Sequence, residues 1–172
     1  ARKGIVIEEL KNKKYLEIFY ELIKQTYDKV KIPLADFSLF DSAFDILVPN
    51  KMAKFYVAKL GGTVVGARVV LNYKGIVYDW YAGSSLEHQD YYINEALVWH
   101  ILKEHANNGY HIFDFGGAGK PNKEYGPREF KRRFGGNLVN FGRYSRVYSP
   151  LKIRIAKIGF KVFQKTRLNK VV

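Results

Sequence analysis

The residues best suited to chemistry lie between positions 110 and 136. A short apolar run there ends on an acid, Asp114, and a glycine-dense turn at 116–119 follows it. Glycine permits positive φ angles and lets a ligand or another backbone approach closely. The segment 130–134 then carries three adjacent cations, which are Lys131, Arg132 and Arg133. This pattern predicts a buried strand, a turn without side-chain bulk, and a short helix whose cations suit an anion or a developing negative charge.

The composition predicts one domain with a substantial core. The chain has 172 residues, of which 47% are hydrophobic and 16% aromatic. It has no cysteine, which excludes disulfides, thiolate metal sites and cysteine nucleophiles. No apolar run approaches the roughly 20 residues of a membrane-spanning helix. The chain opens on Ala1 rather than methionine, which is consistent with a fragment or a processed product.

The positive charge is concentrated in the last third of the chain. The net charge is +13, yet residues 1–109 hold 14 Lys and Arg against 13 Asp and Glu. Residues 110–172 hold 15 against 3. A solvated basic surface is one interpretation. The other is a surface that attracts a polyanion, such as nucleic acid, anionic lipid or a phosphorylated substrate.

Helical spacing predicts two helices near the start of the chain. Apolar residues recur at intervals of three and four from Lys13 to about Lys31, and Asn12 is the expected cap. Ser38 is the expected cap of a shorter second helix. A meander of three antiparallel strands follows at 55–59, 64–73 and 76–82, with tight turns at 61–62 and 74–75.

The second half predicts a helix crossover and two further strands. A helix after residue 92, with Trp99 among its core candidates, leads into a strand at 110–115 that should lie parallel to the third meander strand. Residues 138–148 are predicted to form a last long strand. The basic tail, 151–172, is amphipathic, and we expect its apolar face to pack on the sheet rather than on anionic lipid.

This order of elements resembles the GNAT acyltransferase fold. The fold is α+β, with a mixed, mostly antiparallel sheet flanked by helices, and here one such domain would span 1–172. A fold-level likeness of this kind gives no function by itself.

Four segments carry a closer resemblance. They are 78–84 (YDWYAGS), Trp99, 113–117 (FDFGG) and 130–135 (FKRRFG). Together they resemble the FemABX family, the peptidoglycan-bridge aminoacyltransferases also called methicillin-resistance factors. The resemblance covers about residues 10–148. That family has two GNAT-like lobes, and this chain resembles the second.

The resemblance implies a reaction and its partners. FemABX proteins move an aminoacyl group from charged tRNA to an amine on the stem peptide of a cell-wall precursor. The implied partners are therefore aminoacyl-tRNA, a lipid-linked precursor and a missing N-terminal lobe. The implied location is the cytoplasm. The alternative for the basic tail, contact with anionic lipid, would place the protein at the inner face of the membrane. No cofactor is implied.

The same resemblance assigns roles to the cations. Lys131 matches the lysine of the family's F-K motif, which is implicated in stabilising the tetrahedral oxyanion. The alternative is that the cations only form a solvated helix face. Arg132 and Arg133 are expected to meet tRNA phosphates.

The remaining candidates lie on the strands and the turn. We expect Tyr81 to face the cleft, and we expect Trp80 to pack in the core. Gly116 and Gly117 are expected to border the substrate. Asp114 is expected to orient the loop rather than act as a general base, which would need a raised pKa.

Several common sites are not predicted. An acetyl-CoA pyrophosphate loop needs clustered glycines, but 83–90 has one glycine and two acids. The 116–119 turn is neither a Walker loop, because Pro121 follows Lys120, nor a dinucleotide fingerprint, because Asn122 replaces the third glycine. The four histidines show no metal-ligand spacing, and a surface or capping role is expected for each.

Three functions remain after these exclusions. The leading one is aminoacyl transfer from tRNA. The second is a GNAT-type N-acyltransferase with another acyl donor and another amine acceptor. The third is a basic module that binds RNA or membrane without catalysis.

Overall fold

A five-stranded mixed sheet forms the centre of the protein. The structure, a computed structural model, describes residues 4–142 and 144–168, with side chains up to 165. The described strands lie in the order of the sequence, and among them β5 alone is added parallel to an antiparallel meander. They are β1 (Ile5–Glu9), β2 (Ala53–Leu60), β3 (Thr63–Tyr73), β4 (Ile76–Ser84) and β5 (Ile112–Asp114). The predicted meander and the parallel crossover are confirmed.

Five α-helices are described. They are α1 (Leu16–Lys29), α2 (Phe37–Leu47), α3 (Ile93–Asn107), α4 (Gly126–Arg132) and α5 (Pro150–Leu168). Asn12 does act as a cap, accepting a hydrogen bond from the Lys14 N–H at 3.0 Å, but it caps a 3-10 turn that precedes α1. The predicted Ser38 cap of α2 is wrong. Asp36 caps that helix, and its carboxylate accepts from the Ser38 N–H at 3.0 Å.

Each face of the sheet has its own core. The α1–α2 pair covers one face, where Phe19, Phe40 and Phe55 are fully buried. The other face is covered by α3 through Leu97 and Ile101. Trp99, predicted to be in the core, is 56% exposed. The sheet-facing side of α3 is already occupied by those aliphatic residues, which places Trp99 outward.

A β-bulge in β4 turns two successive side chains to one face. Val69 of β3 pairs with Tyr81 and Val70 pairs with Asp79, so Trp80 is the extra residue. Successive side chains of a regular strand would point to opposite faces. Here Trp80 and Tyr81 both pack against the core under α1 and α2, which confirms the packing role predicted for Trp80.

The last third of the chain departs most from prediction. Residues 138–142 and 144–148 form no strand, so β5 stays at the edge of the sheet and Ile112 is 52% exposed. The 110–115 strand is therefore shorter than predicted, and it is not buried. The predicted packing of the tail is also wrong over residues 151–165, and the rest of the tail lies outside the described side chains. The described side chains of α5 are exposed apart from Phe163 and Gln164.

Candidate active site at the parting of two strands

The glycine turn, Asp114 and Lys131 come together where β4 and β5 separate. The two strands pair only over Ile76–Tyr78 and Ile112–Asp114, after which β4 continues alone. The chain leaves β5 through the glycine turn, where Gly116 has a φ of +67°. The Asp114 carboxylate accepts a hydrogen bond from the Gly116 N–H at 2.7 Å. Asp114 thus orients the turn, in line with the role expected for it.

Gly116 is needed for both its conformation and its space. A positive φ is costly for a residue with a side chain. In addition, a Cβ at this position would lie 3.3 Å from the Tyr78 hydroxyl. Gly117 is exposed at the tip of the turn, and nothing described lies within 4 Å of where its Cβ would be. The turn therefore has a conformationally restricted first glycine, Gly116, and an exposed tip at Gly117.

Lys131 reaches across from α4 and holds this turn. Its ammonium group donates to the Phe115 carbonyl at 2.6 Å and to the Gly117 carbonyl at 2.7 Å. An ammonium has three donors, so these bonds leave one. Among the described residues no carboxylate pairs directly with it. The predicted proximity of Lys131 to the glycine turn is confirmed. Its ammonium group lies at the turn with one N–H donor unused.

Burial lowers the pKa of Lys131 below its usual 10.5. The nearby Arg68 lowers the same pKa further, while Asp79 and Asp114 oppose the shift. A half-buried ammonium in these surroundings is incompletely solvated. It therefore gains more from an anionic ligand than a surface lysine would.

Arg128 attaches the other end of α4 in the same way. Its guanidinium donates to the Lys120 carbonyl at 3.1 Å and to the Lys123 carbonyl. The rings of Phe130 and Phe134 meet edge to face with centroids 5.2 Å apart, and the Phe134 ring lies 5.9 Å from that of Phe115. Two cations and an aromatic cluster thus fix where α4 presents Lys131.

A buried ion pair lies close to Lys131, and the sequence analysis missed it. Arg68 of β3 bonds the Asp79 carboxylate at 2.6 Å, and the two side chains are 4% and 12% exposed. Arg68 also reaches the Asn94 side-chain oxygen at 3.5 Å, and Asn94 donates to Ser84 at 2.9 Å. The available signal was an arginine inside the apolar run 64–71, because a buried cation requires a carboxylate partner.

Tyr81 lies in an aromatic cluster. Its ring is 4.9 Å from that of Phe40 and 5.6 Å from that of Tyr27. Burial, with smaller contributions from Tyr81, Tyr78 and Asp79, raises the pKa of Tyr27 to about 12. The Tyr27 hydroxyl is therefore neutral across the physiological range.

The other two cations of the segment are exposed, and they differ in pairing. Arg132 lies 3.5 Å from the Glu129 carboxylate. Arg133 has no ion pair among the described residues. Of the two, Arg133 is the one whose charge is not already neutralised.

One histidine departs from the surface or capping role expected for all four. His105 is buried, and its Nδ1 lies 2.9 Å from the Ile101 carbonyl oxygen. Burial lowers its pKa below the ordinary 6.5. No group of three or more His, Cys, Asp or Glu that could hold a metal ion occurs in the part of the chain that the structure describes.

Comparison with known proteins identifies the family. Residues 4–132 match the acetyltransferase (GNAT) domain. This chain belongs to the GNAT acetyltransferase domain family. No curated protein matches the GNAT chain by sequence.

Solved GNAT-type structures show the same fold. FemX aligns with a TM-score of 0.67 and 17% identity over 76% of this chain. A predicted acetyltransferase with acetyl-CoA from Clostridium acetobutylicum aligns with a TM-score of 0.66 and 9% identity, over 83% of this chain and 96% of its own. An aminoglycoside acetyltransferase from an uncultured soil metagenomic sample, in complex with sisomicin, aligns with a TM-score of 0.60 and 16% identity. The alignment covers 85% of this chain and 99% of its own.

The lengths of these relatives differ. This GNAT domain spans 50% of the FemX chain but nearly all of the two acetyltransferase chains. At these identities the likeness establishes the fold alone.

In this GNAT domain the connection from β4 to α3 is a 3-10 turn, Leu86–Tyr91. Its preceding glycine, Gly83, serves packing, because a Cβ there would lie 2.3 Å from the Leu22 carbonyl oxygen. Gly83 belongs to β4 and is needed for its close approach to α1, and the 3-10 turn itself contains no glycine.

A broad groove between β1 and α3 meets this site at Phe134. It has a volume of about 710 Å³ and is lined by Ile7, Tyr92, Trp99 and Phe134, among others. None of the predicted site residues lines it. We place the chemistry at the parted strands instead, because the buried charges and the lysine lie there.

Proposed function

We propose that this domain is the catalytic lobe of an aminoacyltransferase that takes its acyl group from charged tRNA. The observation that supports it best is Lys131, which is half-buried, bonded to two main-chain carbonyls and left with one free donor beside an open glycine turn. The family match supports an acyltransferase. The aminoacyl-tRNA donor goes beyond that match and is part of our proposal.

The reaction would proceed through a tetrahedral intermediate. An acceptor amine attacks the ester carbonyl of the aminoacyl-tRNA, and a C–N bond forms as negative charge develops on the carbonyl oxygen. The Lys131 ammonium donates to that oxygen. Collapse breaks the ester C–O bond. The amine loses a proton, and the departing ribose oxygen gains one.

The neighbouring residues would bind the donor. Arg133, and Arg132 to a smaller degree, would contact tRNA phosphates. Gly116 and Gly117 would let the aminoacyl ester approach the turn that Asp114 orients. Tyr81, with the aromatic cluster behind it, would border the aminoacyl side chain.

The acceptor we propose is an amine on the stem peptide of a cell-wall precursor. Such precursors are lipid-linked, which would place the reaction at the inner face of the membrane. The acceptor would bind largely to an N-terminal GNAT-like lobe that this chain does not include. The length of the FemX chain, twice the part matched here, supports that arrangement.

The second candidate is an acetyl-CoA-dependent N-acetyltransferase. It is favoured by the family match and by the acetyl-CoA complex among the similar structures. Against it is the β4–α3 connection, which carries Glu87 and Asp90 and has no glycine, while Gly83 at the end of β4 is committed to packing. A pyrophosphate would meet acids there rather than an open row of N–H groups.

Donor binding decides between the two. Thermal-shift measurements should show stabilisation by charged tRNA and none by acetyl-CoA. Calorimetry should likewise detect no tight acetyl-CoA binding. Micromolar acetyl-CoA affinity would reverse the ranking, and ligand binding by the full-length protein without turnover would favour a non-catalytic module.

A further inference from the structure

The terminal helix α5 is the longest of the described helices. It has 19 residues, which makes it about 28 Å long. Its start is well defined, because Ser149 accepts a bond from the Lys152 N–H at 3.5 Å and Pro150 occupies the first turn. The helix thus begins as a stable element and then presents its side chains to solvent.

One side of α5 is an apolar stripe. Four aliphatic residues recur at intervals of three and four, the spacing of one helix face. They are 54–68% exposed. We call this the aliphatic stripe, and it consists of Leu151, Ile155, Ile158 and Val162. Leaving such a stripe in water is unfavourable, so it indicates a docking surface.

A row of cations runs beside the aliphatic stripe. It follows the same three- and four-residue spacing, and its members are exposed. We call it the basic row, and it consists of Arg154, Lys157, Lys161 and Lys165. No Asp or Glu occurs between 150 and 168. The surface of α5 therefore combines aliphatic side chains with uncompensated positive charge.

These two rows determine which partner fits. An RNA would neutralise the basic row, but it would leave the aliphatic side chains in water. A second copy of α5 could cover the stripe only by bringing two acid-free basic rows together, which repel. An anionic bilayer surface satisfies both rows, since the stripe enters the acyl boundary and the cations meet the headgroups.

We propose that α5 docks on an anionic membrane surface, lying in its plane with the aliphatic stripe inward. The helix does not span the bilayer, since no described helix is long and apolar enough to do so. This inference goes beyond the proposed reaction and does not depend on it. Vesicle binding is measured without tRNA or acceptor, so the two proposals can fail separately.

The apolar contribution is tested by a matched pair of variants of the full chain. Ile158→Ser lies in the stripe, while Ile153→Ser makes the same change on another face of α5. Binding is measured by co-sedimentation with vesicles of phosphatidylcholine and phosphatidylglycerol. We expect Ile158→Ser to lower partitioning by roughly tenfold, and Ile153→Ser to change it much less.

The charge contribution is tested by a second matched pair. Lys161→Gln removes a cation of the basic row, and Lys152→Gln removes one on the far side of the helix. At low salt, Lys161→Gln should weaken binding by roughly fivefold and Lys152→Gln by less. The Lys161→Gln effect should shrink at high salt, whereas the Ile158→Ser effect should persist.

Three results would overturn the proposal. One is equal binding to vesicles with and without phosphatidylglycerol, or binding to neither. Another is tRNA binding that Lys161→Gln weakens and Ile158→Ser leaves unchanged, with no vesicle binding. The third is a dimer in sedimentation equilibrium that Ile158→Ser converts to a monomer, which would make the stripe an interface between two copies.

Discussion

Arg68 and Lys131 are neighbouring cations that the fold treats in opposite ways. Arg68 lies inside the sheet, with a carboxylate at 2.6 Å and an amide oxygen behind it. Lys131 lies at the parting of β4 and β5 and bonds only neutral carbonyls. The carboxylate neutralises the charge of Arg68, so that pair stabilises the sheet. Neutral carbonyls leave the charge of Lys131 uncompensated, so it can still attract an anionic ligand. The difference separates a residue that maintains the sheet from one that we propose acts on a substrate.

The largest effect on stability should come from breaking the Arg68–Asp79 ion pair. Arg68→Met leaves the Asp79 carboxylate buried without its partner, which should cost about 3–5 kcal/mol of unfolding free energy. Urea denaturation measures this. Lys24→Ala, which breaks the exposed pair with Glu21, is the control and should cost much less.

A double variant sharpens the same point. Arg68→Met with Asp79→Leu removes both charges and should recover most of the lost stability. If Arg68→Met alone were as stable as wild type, the pair would not be structural, and the contrast with Lys131 would fail.

The next effect concerns the exposed arginines of α4 and its end. Arg133 has no described ion pair, whereas Arg132 faces Glu129. Arg133→Ala should weaken charged-tRNA binding more than Arg132→Ala, and it should lower the slope of log affinity against log salt by about 1. Fluorescence titrations at several salt concentrations measure both. Equal losses for the two variants would show that pairing with Glu129 does not matter.

The smallest effect concerns the pH dependence of stability. Burial lowers the folded-state pKa of His105 below its usual 6.5, so the folded protein holds this imidazole neutral. As pH falls below about 6.5 the unfolded chain takes up a proton that the folded chain resists, and stability is lost. His105→Phe should flatten this part of the profile, as measured by Tm between pH 7 and pH 5. An unchanged slope would assign the acid sensitivity to other groups.

The meander was predictable because its signals are local. The Gly-Gly and Lys-Gly turns and the strands they join need only short-range information, and the structure confirms them. The proximity of Lys131 to the glycine turn also followed from sequence, because Phe130 and Phe134 fix one face of a short helix.

What the sequence could not supply depends on long-range packing. The Arg68–Asp79 pair joins two strands, and nothing local marks which acid faces the arginine. The bulge at Trp80 shifts side chains without any glycine to signal it. Residues 138–148 alternate like a strand, yet alternation does not supply a pairing partner, and within the described residues no strand lies on the outer side of β5.

Lys131→Ala tests the central claim most directly. In the natural full-length protein, with charged tRNA as donor and a stem-peptide precursor as acceptor, kcat should fall about 10²–10³-fold, because one oxyanion donor is lost. Tm should stay close to wild type, since the two carbonyls released can bond water. Lys123→Ala, an exposed cation of the preceding loop, is the control and should leave kcat unchanged. A kcat for Lys131→Ala within a few-fold of wild type would contradict the account and leave α4 as a basic helix that only shapes the turn.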